Sequence, residues 1–225
     1  MFKKNIIFIT NYDKKEILKL INIKQQVNFI YINCKNKVHI KKFKNILKQK
    51  ITENYYLISF SNNFIFNKEV ICKFKNNRII NFHPGTHNYP GRDVSHFACY
   101  DKVKKFGGII HYVNNKIDNG KIIDEKKYYI KKGSNHYRYT SAGHKAIRYL
   151  LKKYFNLFIN NKIRIKKRIN WSKKIYSRKM FLNKLKIKNN LTKENFKHYF
   201  NSFYTYEYPS LFYFAKSKKI YIKKI

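Results

Sequence analysis

The stretch Arg78-Ile79-Ile80-Asn81-Phe82-His83-Pro84-Gly85 decides how this chain folds. The run Arg78 to Phe82 is apolar except at its first residue and Asn81, and predicts a buried strand. Pro84 has no backbone N–H to offer a neighbour and ends the strand. Gly85, Pro90 and Gly91 make the continuation a loop. Asn81 and His83 stand two residues apart, so their side chains leave the same face at the strand's carboxyl end. Working outward, Asn5 to Thr10, Val27 to Ile32 and Tyr55 to Phe60 predict three earlier strands. Helices are expected from Asp13, as N-cap, to about Ile23, with Ile17, Leu18, Leu20 and Ile21 inward. Others are expected at His39 to Gln49, with Ile40, Phe43, Ile46 and Leu47 inward, and around Lys68 to Phe74. Downstream, Asp93 caps a helix to Tyr100, Gly107 to Val113 and Lys121 to Ile130 are strands, and Tyr139 to Ile159 is one long helix. Strands alternating with helices predict an α/β fold: a Rossmann-like, mostly parallel sheet flanked by helices and joined by right-handed crossovers.

After Asn160 the texture changes to a Lys- and Asn-rich segment holding the single Trp, Trp171. A helix at 193–203 and a hairpin from Leu211 to Phe214 and Lys219 to Ile225 are expected there. The chain is thus expected to divide into a main domain at residues 1–160 and a C-terminal appendage at 161–225 that ends in a β-hairpin.

The 51 basic residues against 11 acidic ones give a formal charge of +40. With 44% hydrophobic and 18% aromatic residues the chain still builds a core, which excludes a disordered basic tail. Lys, Ile, Asn, Tyr and Phe, all written by AT-rich codons, make 143 of the 225 residues. The basic residues run along the whole chain, so genome composition accounts for them better than a dedicated polyanion surface does. The field still draws anions, and nonspecific RNA attraction that fades with salt is expected. No apolar run reaches the roughly 18 residues of a membrane span, and Ile6 to Ile9 is too short for a signal-peptide core. Cys34, Cys72 and Cys99 form neither a disulfide framework nor a zinc cluster. These features predict a cytoplasmic protein without a bound metal.

Ligands of open α/β sheets lie beyond the carboxyl ends of the strands, where Asn81 and His83 are placed. Asp118 follows in a loop whose Asn119-Gly120 continuation signals a turn. An amide, an imidazole and a carboxylate suit acyl transfer to an amine. The amide donates to the oxyanion, the imidazole moves the proton, and the carboxylate favours the imidazolium. No G-x-S-x-G elbow and no Cys beside a His offers a covalent nucleophile. Arg92 is a candidate clamp for a substrate phosphate; His111 reads as a structural strand residue near the site, and His96 as a packing residue.

From about Tyr56 to Ile130 the chain resembles the folate-dependent formyltransferases. It carries Asn81-Phe82-His83-Pro84, a loop with Pro90-Gly91, a glycine-led strand reaching His111, and Ile117-Asp118-Asn119-Gly120. The resemblance implies a formyl donor, 10-formyltetrahydrofolate. It implies that Asn81 holds the formyl oxygen, that His83 assists proton transfer, and that Asp118 orients His83 and a water. It also implies folate contacts from Ser61, Asn62, Asn63 and Phe64, where the wording departs from the family's, and from Asn115, Lys116, Ile117 and Asp118. Three acceptors compete. A glycinamide ribonucleotide enzyme would carry a glycine-rich turn after the first strand, but Thr10-Asn11-Tyr12-Asp13-Lys14 has none. A methionyl-tRNA enzyme would carry a C-terminal barrel, for which the appendage is short. The sugar N-formyltransferases fit best, with a nucleotide-linked amino-sugar as acceptor, feeding surface-polysaccharide synthesis. They also imply a homodimer, for which the apolar hairpin is the candidate contact. A non-catalytic RNA-binding relic of the fold is the alternative from a different class.

Overall fold

The computed structural model describes residues 4–21, 27–49, 54–62, 64–75, 77–165, 168–187, 191–206, 211–215 and 218–222. The first half alternates as expected. It runs β1 (Lys4–Thr10), α1 (Lys14–Leu20), β2 (Val27–Asn33), α2 (Lys37–Lys48), β3 (Tyr55–Phe60), α3 (Lys68–Cys72) and β4 (Ile79–His83). It continues with α4 (Val94–Tyr100), β5 (Lys105–Tyr112), β6 (Ile122–Tyr129) and α5 (His136–Ile159). Then come α6 (Arg178–Lys184), α7 (Lys193–Phe203) and the hairpin β7 (Phe212–Ala215) with β8 (Lys218–Tyr221). The expected third and fourth strands, the 193–203 helix and the hairpin are found within a residue or two; residues 223–225 lie outside the described ones.

Six strands form one sheet in the order β2-β1-β3-β4-β5-β6. β1 to β4 pair in parallel, whereas β5 is antiparallel to both β4 and β6. The sheet is therefore mostly parallel, with β5 alone reversed. Alternation along each strand divides its core between two faces. Ile6, Phe8, Tyr56, Ile58, Phe60, Ile80 and Phe82 pack under Ile147, Leu150, Leu151 and Phe155 of α5. Ile7, Ile9, Leu57 and Ile79 pack on the opposite face with Phe43 and Leu47 of α2. Asn36 caps α2, its side chain accepting from the backbone N–H groups of Val38 and His39.

Three local expectations are corrected. Leu18 is not inward: α1 ends at Leu20, so it is a short helix, and only Ile17 within it is buried. Ile23 lies outside the described residues. Asp93 does not cap α4 with its side chain. Its backbone is left-handed at φ 56°, and its carboxylate accepts from Arg178 Nη1 at 3.0 Å instead. A left-handed backbone is not the extended one from which an N-cap side chain reaches the first N–H groups of its helix. The helix α6, capped by Ser177, was not anticipated.

The end of α5 coincides with the change in sequence texture, yet the chain on either side of it shares one core. Val94, Phe97, Ala98 and Phe106 pack with Tyr176, Phe181, Leu185, Phe203 and Leu211. Within this core the rings of His96 and His136 stack at 4.0 Å. His96 donates from Nδ1 to Ser202 O at 2.7 Å, and His136 from Nε2 to Tyr204 O at 2.8 Å. Burial pushes His96 down to about 4 despite its carbonyl partner. Burial, then the neighbouring ring, pushes His136 down to about 3. Groups with depressed folded pKa values take up protons first in the unfolded chain, so they cost stability as pH falls from about 6.5 toward 4. Each histidine adds a slope of up to about 1.4 kcal/mol per pH unit in that window. His96→Gln should therefore flatten the fall of Tm measured between about pH 6.5 and 4.5. Parallel Tm curves for the two proteins would contradict this.

Candidate active site

Strand register assembles the site. Ser59 of β3 pairs with Asn81 of β4, and Asn81 pairs with His111 of β5. These three residues form a row across the sheet near the carboxyl ends of β3 and β4. The row continues the face whose deeper positions, Leu57 and Ile79, are apolar. A shift of register between β5 and β6 falls at Ile110/His111, where a bulge can aim the imidazole.

The row is locked by a directed chain of hydrogen bonds. Asn62 Nδ2 donates to Ser59 Oγ at 2.9 Å, and Ser59 Oγ donates to Asn81 Oδ1 at 2.7 Å. With its oxygen so occupied, Asn81 turns its NH₂ inward. There Nδ2 lies 3.1 Å from His111 Nε2 and 3.4 Å from Asp118 Oδ1. His111 donates from Nδ1 to Tyr112 O at 2.8 Å, so its Nε2 faces both the Asn81 amide and the Asp118 carboxylate. His83 is buried and donates from Nε2 to Tyr89 O at 2.9 Å. Its Nδ1, 3.5 Å from Asp118 Oδ2, is the nitrogen left to take a proton.

Asp118 joins the two imidazoles, with Oδ2 toward His83 and Oδ1 3.4 Å from His111 Nε2. Its backbone is left-handed at φ 39°, a strained setting for a non-glycine residue. The Gly91 N–H donates to Oδ2 at 2.8 Å and holds it there. Burial alone would raise the Asp118 pKa. The His83 and His111 imidazoles and the Gly91 N–H outweigh that and hold it well below the usual carboxylate range. Gly91 has no substitute: its φ is 106°, and a Cβ there would meet Tyr176 O at 1.9 Å. Pro90 and Arg92 flank it, accepting from Tyr176 N and donating to Tyr176 O at 2.9 Å each.

Two cavities meet at this point and share Asn62, His83, Gly91 and Arg92. The first has a volume of about 170 Å³. Phe64, Ile65, Phe66, Val113 and Ile117 give it apolar walls, and Asn81, His111, Asp118, Asn115 and Lys116 give it polar groups. The second, about 230 Å³, is lined by Asn11, Ser61, Ser95, Thr140 and His144 and is mainly polar. Of the expected binding residues, Asn62, Phe64, Asn115, Lys116, Ile117 and Asp118 therefore share the first cavity, Ser61 lines the second, and Arg92 lies between them. Asn63 lies outside the described residues. Ser59 was missed, and His111 reaches further into the site than a structural strand residue would. Among the described residues no helix is long and apolar enough to cross a membrane.

Residues 4–152, about two thirds of the chain, match the family model described as formyl transferase. The fold is similar to that of a sugar N-formyltransferase from Shewanella, at TM-score 0.79 and 19% identity over 98% of this chain and 97% of that one. It is similar to a 4-N formyltransferase from Francisella tularensis, at TM-score 0.79 and 19% identity over 99% of both. It is also similar to an N-formyltransferase from Helicobacter canadensis, at TM-score 0.73 and 22% identity over 97% and 86%. That structure is a complex with folinic acid and dTDP-3-aminofucose. No curated protein sequence matches the chain.

Proposed function

Since the chain belongs to the formyl transferase family, we propose that it moves a formyl group from 10-formyltetrahydrofolate to the amine of a nucleotide-linked amino-sugar. The observation that carries the reading is the placement of Asn81 and His83 where an apolar-walled cavity meets a polar one. The first cavity suits the flat ring system of a reduced folate; the second, rich in hydroxyls and amides, suits a sugar. The family's sugar branch is further supported by end-to-end similarity to solved sugar N-formyltransferases, including one holding a folate and an aminosugar nucleotide. The described part of the C-terminal segment contributes helices and a two-stranded hairpin to the core, rather than a barrel.

In this reading the acceptor's amine attacks the formyl carbon. Asn81 Nδ2–H receives the charge that develops on the formyl oxygen. His83 Nδ1 takes the proton the amine loses and returns it to the folate nitrogen as the carbon–nitrogen bond to that nitrogen breaks. The products are the formamido-sugar and tetrahydrofolate. Asp118 stabilises the imidazolium formed in passing, and Tyr89 O keeps the ring's orientation. Arg92, exposed at the shared rim, is the proposed phosphate contact. The exposed Ile220 and Tyr221 of the hairpin are the proposed homodimer contact.

Release of tetrahydrofolate, measured with a panel of nucleotide-linked amino-sugars, methionyl-tRNA and glycinamide ribonucleotide, tests the proposal. Turnover is expected with an amino-sugar, with only modest weakening between about 50 and 200 mM salt because few phosphates are contacted. Formylation of methionyl-tRNA that loses about 10³–10⁵ in affinity over that range would overturn it. Inertness with every amine, joined to salt-dependent RNA binding, would favour the relic.

A further inference from the structure

We propose that Trp171, from the segment that follows α5, is a positioning residue for the catalytic groups. The inference rests on the formyl-transfer reading for its kinetic arm only. The indole stands edge-on to His111 at 5.1 Å and 85° between ring planes, and next to His83 at 6.2 Å and 66°. It is the described aromatic ring that contacts both imidazoles of the site. Its Nε1–H donates to Gly120 O at 2.7 Å, so it also grips the turn that carries Asp118. That turn needs a grip, because Asp118 is held left-handed two residues earlier. The next residue continues the attachment: Ser172 N donates to His87 O at 2.8 Å, on the loop that leads from His83 to Gly91.

One side chain thus touches both imidazoles and holds the turn that carries Asp118 while bordering neither of the two substrate cavities. Its other side faces a separate, solvent-open cavity lined by Asn119, Lys121 and Arg168. The indole is the wall between that water and the catalytic imidazoles. Removing it lets water reach His83 and His111 from behind and frees the Asp118 turn. Misplacement by about 1 Å costs on the order of 10²-fold in rate.

Trp171→Phe keeps a ring and loses the N–H; Trp171→Ala loses both. The expected result is a kcat lowered about tenfold in the first and about 10²-fold in the second, with KM for 10-formyltetrahydrofolate within about twofold of wild type in both. A residue that served only the fold would lower Tm and the fraction of active sites and leave kcat per active site unchanged; that outcome overturns the proposal. Long-range ¹H–¹⁵N spectra of the imidazoles supply a readout that needs no turnover. The ring signals of His83 and His111 should move in both variants, and unmoved signals also overturn the proposal. Should the alanine variant fail to fold, the phenylalanine variant decides by the same two measurements. If the wild-type protein transfers formyl to no amine, the functional reading fails, and the imidazole signals still judge the role of Trp171.

Discussion

Asn81→Ala is expected to lower kcat for formyl transfer by about 10²–10³, the usual loss for one oxyanion donor. The expectation rests on the hydrogen-bond chain from Asn62 through Ser59, which commits the Asn81 oxygen and turns its NH₂ toward His111 and Asp118, all three residues lining the first cavity. The change should leave the fold intact, since Asn81 is only partly buried and lies outside the apolar clusters. Asn81→Asp is a sharper version: a carboxylate would put negative charge where the oxyanion forms, next to Asp118. Turnover of Asn81→Ala at the wild-type rate with saturating substrates would remove the oxyanion role.

His83→Ala should cost at least as much, about 10²–10⁴ in kcat, the range for a positioned proton-transfer group. The geometry makes the prediction specific to one nitrogen. Nε2 is spent on Tyr89 O, so the proposed transfer falls to Nδ1, which faces Asp118. His83→Gln offers an amide that can still donate to a carbonyl and cannot take a proton, and it should remain as slow as the alanine variant. A glutamine variant near the wild-type rate would show that His83 serves orientation only. The loss in both should appear in kcat more than in KM, because a proton is moved only as the tetrahedral centre forms and collapses.

The sheet and the core of this site were legible in the sequence because local rules decide them. Alternation and the apolar runs identify β1 to β6, and the two-residue spacing of Asn81 and His83 places them on one face with no knowledge of neighbours. The Asn-Gly turn gave Asp118 only a place in a loop, and the family resemblance put it beside His83. Ser59 was not legible: one serine in an apolar strand gives no sign that it lies opposite Asn81 until register is known. His111 is the same case across β5. Asp93 shows a local rule losing to a distant partner, since nothing near it announces Arg178. Trp171 and Tyr176 were hidden by composition. They sit in a Lys- and Asn-rich stretch whose bias runs through the whole chain, and their partners lie far off in sequence, as Gly120 lies 51 residues before Trp171.

Gly91 and Tyr176 meet as an isolated parallel bridge, and the strand-like pairing of Pro90 to Arg92 with Tyr176 is what keeps the Gly91 N–H aimed at Asp118. The bridge sets an order of events during synthesis. A nascent chain that has emerged only through α5 owns all six strands of the main sheet and Asn81, His83 and Asp118, yet lacks the partner that seats the Pro90–Arg92 loop. Long-range closure of this kind comes late, after local elements have formed. On the proposed reading, a fragment ending with α5 should leave the formyl donor unspent, and turnover would report that the later third has docked.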